Sequence, residues 1–121
     1  GNTFYLLKAV RESGFDRVIK DLIEKGVVYI GASAGSYIAC PSIIMSTWSN
    51  TGFDRCGITD YTAMNLVPFL IKAHYTPDMK EVLEEKTKDV DYKTRILTDD
   101  QAIVVQGDTI KLLGGGEEII I

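Results

Sequence analysis

The sequence predicts a three-layer α/β domain with a mostly parallel sheet, and three observations support this prediction. Two helical patterns precede a short, continuously apolar run of β-forming residues, which is typical of a buried parallel strand. Helical and apolar strand patterns then alternate through the middle of the chain. Three short strand patterns follow, separated by the turn dipeptides Asp99-Asp100 and Gly107-Asp108, and they predict a C-terminal β-meander.

Two helices and a strand are predicted for the first part of the chain. Thr3–Ser13 has apolar residues at three-residue steps and is followed by Gly14, which predicts a helix that ends there. Residues 15–25 have apolar side chains on one helical face and end before Gly26. Residues 27–30 (Val-Val-Tyr-Ile) are the predicted buried central strand.

A second strand and a further helix are predicted after a long loop. Residues 34–40 form a brief predicted helix, and residues 41–62 are mixed in composition and predict a loop. Residues 65–73 are apolar enough for a second buried strand, which leads to His74. The remaining predicted elements are a helix over residues 76–86 and strands over residues 94–98, 102–106 and 109–113.

The length and composition predict a single domain and exclude several classes of function. The 121 residues are enough for one domain with a real core, over residues 1–121. Thirteen basic and 17 acidic residues give a net charge of −4, which argues against nucleic-acid binding. No run approaches the roughly 20 apolar residues of a membrane span, and no secretory leader is visible, so a cytoplasmic location is predicted. The two cysteines indicate neither a disulfide framework nor a metal site, and no cofactor is predicted.

Residues 31–35 have the Gly-x-Ser-x-Gly pattern of a nucleophile elbow, in which a strand turns sharply into a helix. The glycines let the neighbouring backbone pass without Cβ clashes, so that the hydroxyl of Ser33 is exposed. The amide of Ala34 would then point to the place where a tetrahedral oxyanion forms. The same pattern is compatible with a tightly packed glycine turn or with an anion site at the start of the helix.

His74 is the only histidine, and it follows a predicted strand at the edge where α/β sheets bind ligands. A serine nucleophile needs a base, so His74 is the candidate; Lys72 is the nearby substitute and would need a depressed pKa. An acid between the serine and the histidine would complete the site, and Asp54 and Asp60 lie in that interval. Each aspartate is equally compatible with a loop or capping role.

Three segments, in order along the chain, resemble the peptidase E family of serine peptidases, which includes aspartyl dipeptidases and the related cyanophycinases. Residues 1–7 (Gly-Asn-Thr-Phe-Tyr-Leu-Leu) are similar to the end of the family's Gly-Gly-Asn-Thr motif. Residues 31–41 are similar to its nucleophile elbow and the helix behind it, and residues 65–75 to its histidine-bearing strand.

The resemblance implies a serine peptidase site. Ser33 would be the nucleophile and His74 the general base, with Asp54 as an acid displaced within a longer loop. The amide of Ala34 and an amide of the glycine motif, near Gly1, would form the oxyanion hole. The implied substrates are short peptides cleaved after an N-terminal residue, which is aspartate in the best-known members, and no metal or cofactor is required. The implied fold is glutamine-amidotransferase-like or flavodoxin-like.

Family members carry further strands before the glycine motif, so the resemblance implies that this chain is the C-terminal portion of the family fold, truncated at its N-terminus. An apolar edge near residues 27–30 would then be exposed, which predicts a homodimer. Two other functions are open at this point. One is an inactive pseudo-peptidase or interaction module, favoured by Trp48 at the usual position of the acid. The other is a small α/β domain that binds an anion at residues 31–35.

Overall fold

The computed structural model describes residues 1–49 and 52–121, in which four helices and four strands are joined by turns and short 3-10 helices. The helices are α1 (Thr3–Ser13), α2 (Phe15–Glu24), α3 (Ala34–Tyr37) and α4 (Lys80–Lys86). The strands are β1 (Leu70–Lys72), β2 (Thr94–Ile96), β3 (Gln101–Gln106) and β4 (Thr109–Gly114). The mixture of helices and strands confirms the predicted α/β class.

The first helix has the bounds that the sequence predicts, because both of its ends are set by local signals. The side chain of Asn2 caps its start by accepting hydrogen bonds from the amides of Phe4 and Tyr5, at 3.0 and 3.2 Å. Gly14 ends it in the left-handed conformation, with φ of 77°. The second helix ends at Glu24, one residue before the predicted end.

Residues 27–30, predicted as the central strand, are not a strand in the structure. The side chains of Val28 and Ile30 are 78% and 88% exposed, and no strand among the described residues pairs with this segment. An apolar run of this kind is buried only when neighbouring strands and helices cover it. Residues 1–49 and 52–121 contain no such cover, so the prediction of a buried strand is wrong here.

The pairing of the strands differs from the predicted meander. Strand β2 pairs in parallel with β1, with Leu70 opposite Thr94 and Lys72 opposite Ile96. Strands β3 and β4 form a separate antiparallel hairpin. A parallel pair needs a crossover connection between its strands, and α4 lies in that connection. The three C-terminal strands therefore do not form one meander, although the turn signals between them are real.

Strand β1 is shorter than predicted, and the long loop before it is more ordered than predicted. Only Leu70–Lys72 is regular strand within the predicted residues 65–73. Of the predicted loop 41–62, residues 50 and 51 lie outside the described residues. The loop contains a 3-10 helix over Ile44–Thr47, and the guanidinium of Arg11 donates to the carbonyls of Asp60 and Thr62, both at 2.7 Å. These two hydrogen bonds connect the loop to α1.

The core lies between α1, α3 and β1, and it brings the elbow close to the end of β1. Its buried members are Phe4, Leu7, Val10, Ile19, Tyr37, Ile38, Cys40, Ile43, Met45, Met64, Phe69, Leu70, Ile71 and Leu97. Burial raises the pKa of the Cys40 thiol to about 12. Both Cys40 and Cys56 are free thiols. No helix in the described residues is long and apolar enough to cross a membrane.

Candidate active site

The nucleophile elbow is a strained turn held by hydrogen bonds across its own loop. Ser33 has φ of 52° and ψ of −115°, and α3 begins at the next residue, Ala34. The hydroxyl of Ser36 donates to the carbonyl of Gly31 at 2.8 Å, and that of Tyr29 donates to the carbonyl of Gly35 at 2.5 Å. A positive φ at a non-glycine residue costs about 1–3 kcal/mol and persists only where the surroundings enforce it. The turn therefore presents Ser33 in a defined position.

Gly31 is required by the close approach of the backbone in this turn. A Cβ at Gly31 would lie 2.5 Å from the carbonyl oxygen of Gly35 and 2.9 Å from the amide nitrogen of Ser36, and neither atom can rotate away. We expect Gly31→Ala to lower the free energy of unfolding by about 2–3 kcal/mol, since such overpacking forces the backbone to shift. Urea denaturation measures this loss.

The neighbouring glycine offers a matched control. A Cβ at Gly35 would meet only the Tyr29 hydroxyl, at an ordinary 3.8 Å, and the residue lies within α3. Gly35→Ala should therefore leave stability unchanged or raise it by up to about 1 kcal/mol, the helix preference of alanine over glycine. Equal stability of the two variants would contradict the assignment of Gly31.

His74 follows β1 and connects Ser33 to a carboxylate. Its Nε2 lies 3.0 Å from Ser33 Oγ, and its Nδ1 lies 2.5 Å from Asp99 Oδ1. An ionised carboxylate only accepts hydrogen bonds, so in the neutral imidazole Nδ1 carries the proton and Nε2 is free to accept from the serine hydroxyl. The side chains of His74 and Asp99 are 56% and 79% exposed. His74 also has a positive φ, of 60°.

The carboxylate beside His74 is that of Asp99, and the structure places the predicted acid Asp54 elsewhere. The two oxygens of Asp54 accept hydrogen bonds from the amides of Cys56 and Ile58, each at 2.7 Å, so its carboxylate caps a loop. Asp60 likewise accepts from Thr62, and these hydrogen bonds lower the pKa of Asp60. Sequence reasoning missed Asp99 because its relation to His74 depends on the parallel pairing of β1 and β2, whose carboxyl ends lie at one edge.

The cavity beside Ser33 and His74 has a volume of about 150 Å³, and Gly1 lies on its wall. Both residues predicted for an oxyanion hole are thus near the nucleophile: Gly1 lines the same cavity as Ser33, and Ala34 is the next residue in the chain. Trp48, which the family resemblance placed at the position of the acid, packs against the hydrophobic core. A larger depression, of about 560 Å³, is lined by residues such as Tyr61 and Tyr92 and contains neither Ser33 nor His74.

Buried polar side chains form another part of the cavity wall. Lys72 is 5% exposed, and its Nζ donates to the hydroxyl of Tyr37 at 3.3 Å. Burial lowers the pKa of Lys72, whereas burial raises that of Tyr37. Because the ammonium is engaged with Tyr37 and the imidazole of His74 is the group on Ser33 Oγ, the geometry favours His74 over Lys72 as a base. Within residues 1–49 and 52–121, no cluster of three or more histidines, cysteines and carboxylates could hold a metal ion.

Comparison with known protein families and sequences finds consistent matches. The model of peptidase family S51 matches residues 1–113. An uncharacterized peptidase of Listeria monocytogenes, Lmo0363, is 33% identical over 114 residues, which are 91% of this chain and 55% of that protein. Peptidase E of Escherichia coli is 39% identical over 93 residues, which are 74% of this chain and 37% of that protein.

A solved structure has the same fold over nearly all of this chain. The crystal structure of a putative peptidase E protein from Listeria monocytogenes matches with a TM-score of 0.79 and 30% sequence identity. The match covers 96% of this chain and 57% of that one. The chain spans about half the length of the Listeria relatives that it matches.

Proposed function

The chain belongs to peptidase family S51, and from that premise we propose that Ser33, His74 and Asp99 form the catalytic triad of a serine peptidase. The observation that carries the proposal is the continuous hydrogen-bonded chain from Ser33 Oγ through the imidazole to the Asp99 carboxylate. A nucleophile, a base and an orienting acid within hydrogen-bond reach are what acyl transfer requires. The strained elbow supports the proposal, because conformational strain of this kind is concentrated at functional sites.

In the proposed reaction, Ser33 Oγ bonds to the carbonyl carbon of the scissile peptide, and His74 Nε2 takes the hydroxyl proton. The tetrahedral oxyanion is stabilised by the amide of Ala34 and by a main-chain amide near Gly1. The carbon–nitrogen bond then breaks as His74 returns the proton to the leaving amine. A water molecule repeats the sequence on the acyl-enzyme, and this step releases the acid product and restores Ser33. Asp99 holds the imidazole in the required tautomer throughout.

We propose short peptides, dipeptides among them, as the substrate class. The cavity of about 150 Å³ is smaller than the roughly 300–1,000 Å³ of typical small-molecule sites, which favours a substrate that places only one or two residues in it. Its wall includes Gly1 and the buried Lys72 beside the reacting groups.

A fluorophosphonate probe tests the proposed function directly. Such a probe forms a covalent bond with an activated serine, so we expect one molecule per folded protein, with the modified peptide containing Ser33. Protein unfolded in urea should not react, because the probe requires the base to be positioned. If folded protein stays unlabelled while a known serine peptidase in the same tube is labelled, the proposal fails and the pseudo-peptidase interpretation is favoured.

The exposed run at residues 27–30 supports the proposal that the protein self-associates as a homodimer. Large exposed apolar side chains, such as those of Val28 and Ile30, are usually covered in the functional state. Pairing with a second copy would cover them. Light scattering decides this point, since a monomer at the assay concentration contradicts it.

A further inference from the structure

Tyr37 connects the backbone at Ser33 with the backbone next to His74. Its own amide donates to the carbonyl of Ser33 at 3.1 Å. Its phenol oxygen accepts from the amide of Ala73 at 3.1 Å and lies 3.5 Å from the carbonyl oxygen of the same residue, to which it donates. Ala73 directly precedes His74, so the main-chain amide and the side chain of this one residue together connect the two segments that carry the proposed nucleophile and base.

Lys72 completes the hydrogen bonding of that phenol. Its ammonium donates to the Tyr37 oxygen at 3.3 Å and lies 5.6 Å from the centre of the ring. A phenol has one proton and two lone pairs. The amide of Ala73 and the ammonium of Lys72 occupy both lone pairs, so the single proton is directed to the carbonyl of Ala73. The orientation of the hydroxyl is therefore defined by its three partners.

Two further observations indicate that the site needs such a connection. Ser33 and His74 both have positive φ, of 52° and 60°, a conformation that non-glycine residues keep only where their surroundings enforce it. The elements next to Ser33 and His74 are short: α3 has four residues and β1 has three. Helix and strand ladders of that length supply few hydrogen bonds. Tyr37, which is 6% exposed, supplies additional ones at the required place.

We propose that Tyr37 is a positioning residue, which holds Ser33 Oγ and His74 Nε2 at hydrogen-bond distance, and that Lys72 orients its hydroxyl. The inference rests on the proposed function, because it assigns to Tyr37 the alignment of that same site. Tyr37 acts through Ala73 and Ser33 and forms no part of the reaction itself. A residue that only filled the core would not need hydrogen bonds to both polar groups of Ala73.

Tyr37→Phe tests the proposal, because it keeps the ring in the core and removes only the hydroxyl. We expect the rate of fluorophosphonate labelling of Ser33 to fall at least tenfold, and kcat for a dipeptide to fall with little change in KM. The resonances of the His74 imidazole should shift, and they are assigned without ambiguity because the chain has one histidine. A labelling rate within twofold of the parent protein, together with an unchanged His74 spectrum, would overturn the proposal.

Thr87→Val is the matched control for a loss of stability alone. The hydroxyl of Thr87 donates to the carbonyl of Leu83 at 2.7 Å, at the end of α4 and outside the cavity. This variant should lower the melting temperature and leave both the labelling rate and the His74 spectrum unchanged. If it reduces labelling as strongly as Tyr37→Phe does, the effect at Tyr37 is one of stability, and the inference is wrong.

A second variant covers the case in which Tyr37→Phe does not fold. Lys72→Met keeps the phenol of Tyr37 and a side chain of similar volume but removes the ammonium. We therefore expect a slower labelling rate and a shifted His74 spectrum, as in Tyr37→Phe, but both effects should be smaller. An unchanged spectrum in folded Lys72→Met would overturn the role of Lys72. The His74 spectrum can be recorded whether or not the protein is active. An unchanged spectrum in the variants therefore contradicts this inference, whereas an unlabelled parent protein contradicts the proposed function.

Discussion

We expect Ser33→Ala to abolish fluorophosphonate labelling and to lower kcat/KM for dipeptide hydrolysis by at least about 10⁴-fold, the order of magnitude that loss of a triad nucleophile costs. The reason is that Ser33 Oγ is the atom aligned on His74 Nε2, at 3.0 Å. Stability should change little, because Ser33 is only partly buried and is not a member of the hydrophobic core. Mass spectrometry of the labelled protein and a ninhydrin assay of released amines measure the two effects.

Ser13→Ala is a suitable control for this substitution. The hydroxyl of Ser13 donates to the carbonyl of Val10 at 3.1 Å, at the end of α1 and away from the cavity. That variant should hydrolyse peptides as the parent protein does. Retention of more than one tenth of the parent activity by Ser33→Ala would show that another group performs the reaction.

The second large effect is expected at Asp99. In Asp99→Asn the amide can donate to His74 Nδ1, so the imidazole proton moves to Nε2, which then cannot accept the proton of Ser33 Oγ. The corresponding change in a buried triad costs about 10⁴-fold in kcat, and for a pair as exposed as this one we expect a loss of about 10³-fold. Steady-state kinetics from pH 6 to pH 9 measure it, and KM should stay near its original value.

Asp54→Asn distinguishes the two candidate acids. Asp54 caps its loop through two accepted hydrogen bonds, and an asparagine can accept with only one of its two terminal atoms. This variant should therefore lose about 1 kcal/mol of stability and keep its kcat within a small factor. If Asp54→Asn lowers kcat more than Asp99→Asn does, the acid predicted from the sequence is the correct one.

The parts of the molecule that the sequence predicts well are those with local causes. Asn2 and Gly14 determine the ends of α1 within a few residues of themselves, so its bounds are confirmed in the structure. The elbow also has a local cause, because its two glycines and Ser33 lie within five consecutive residues. The proximity of His74 to Ser33 is a longer-range expectation, and it followed from the chemical need of a serine for a base.

The parts that the sequence does not predict depend on which segments pair in space. Asp99 reaches His74 because β1 and β2 are parallel neighbours, and a turn dipeptide alone contains no information on that pairing. Residues 27–30 show the opposite error. Their composition predicts a buried strand, but burial is a property of the surrounding chain, and the described residues leave Val28 and Ile30 in solvent.

The buried thiol of Cys40 makes it possible to measure how often the core opens without adding denaturant. Cys40 lies in the core behind the elbow, whereas Cys56 is partly exposed. A thiol with a pKa near 12 and no contact with solvent reacts with an alkylating reagent only while the structure around it is open. The ratio of the two alkylation rates therefore reports the free energy of local opening. For each substitution at Ser33, Asp99 or Tyr37, this ratio separates a change in chemistry from a change in the opening of the core.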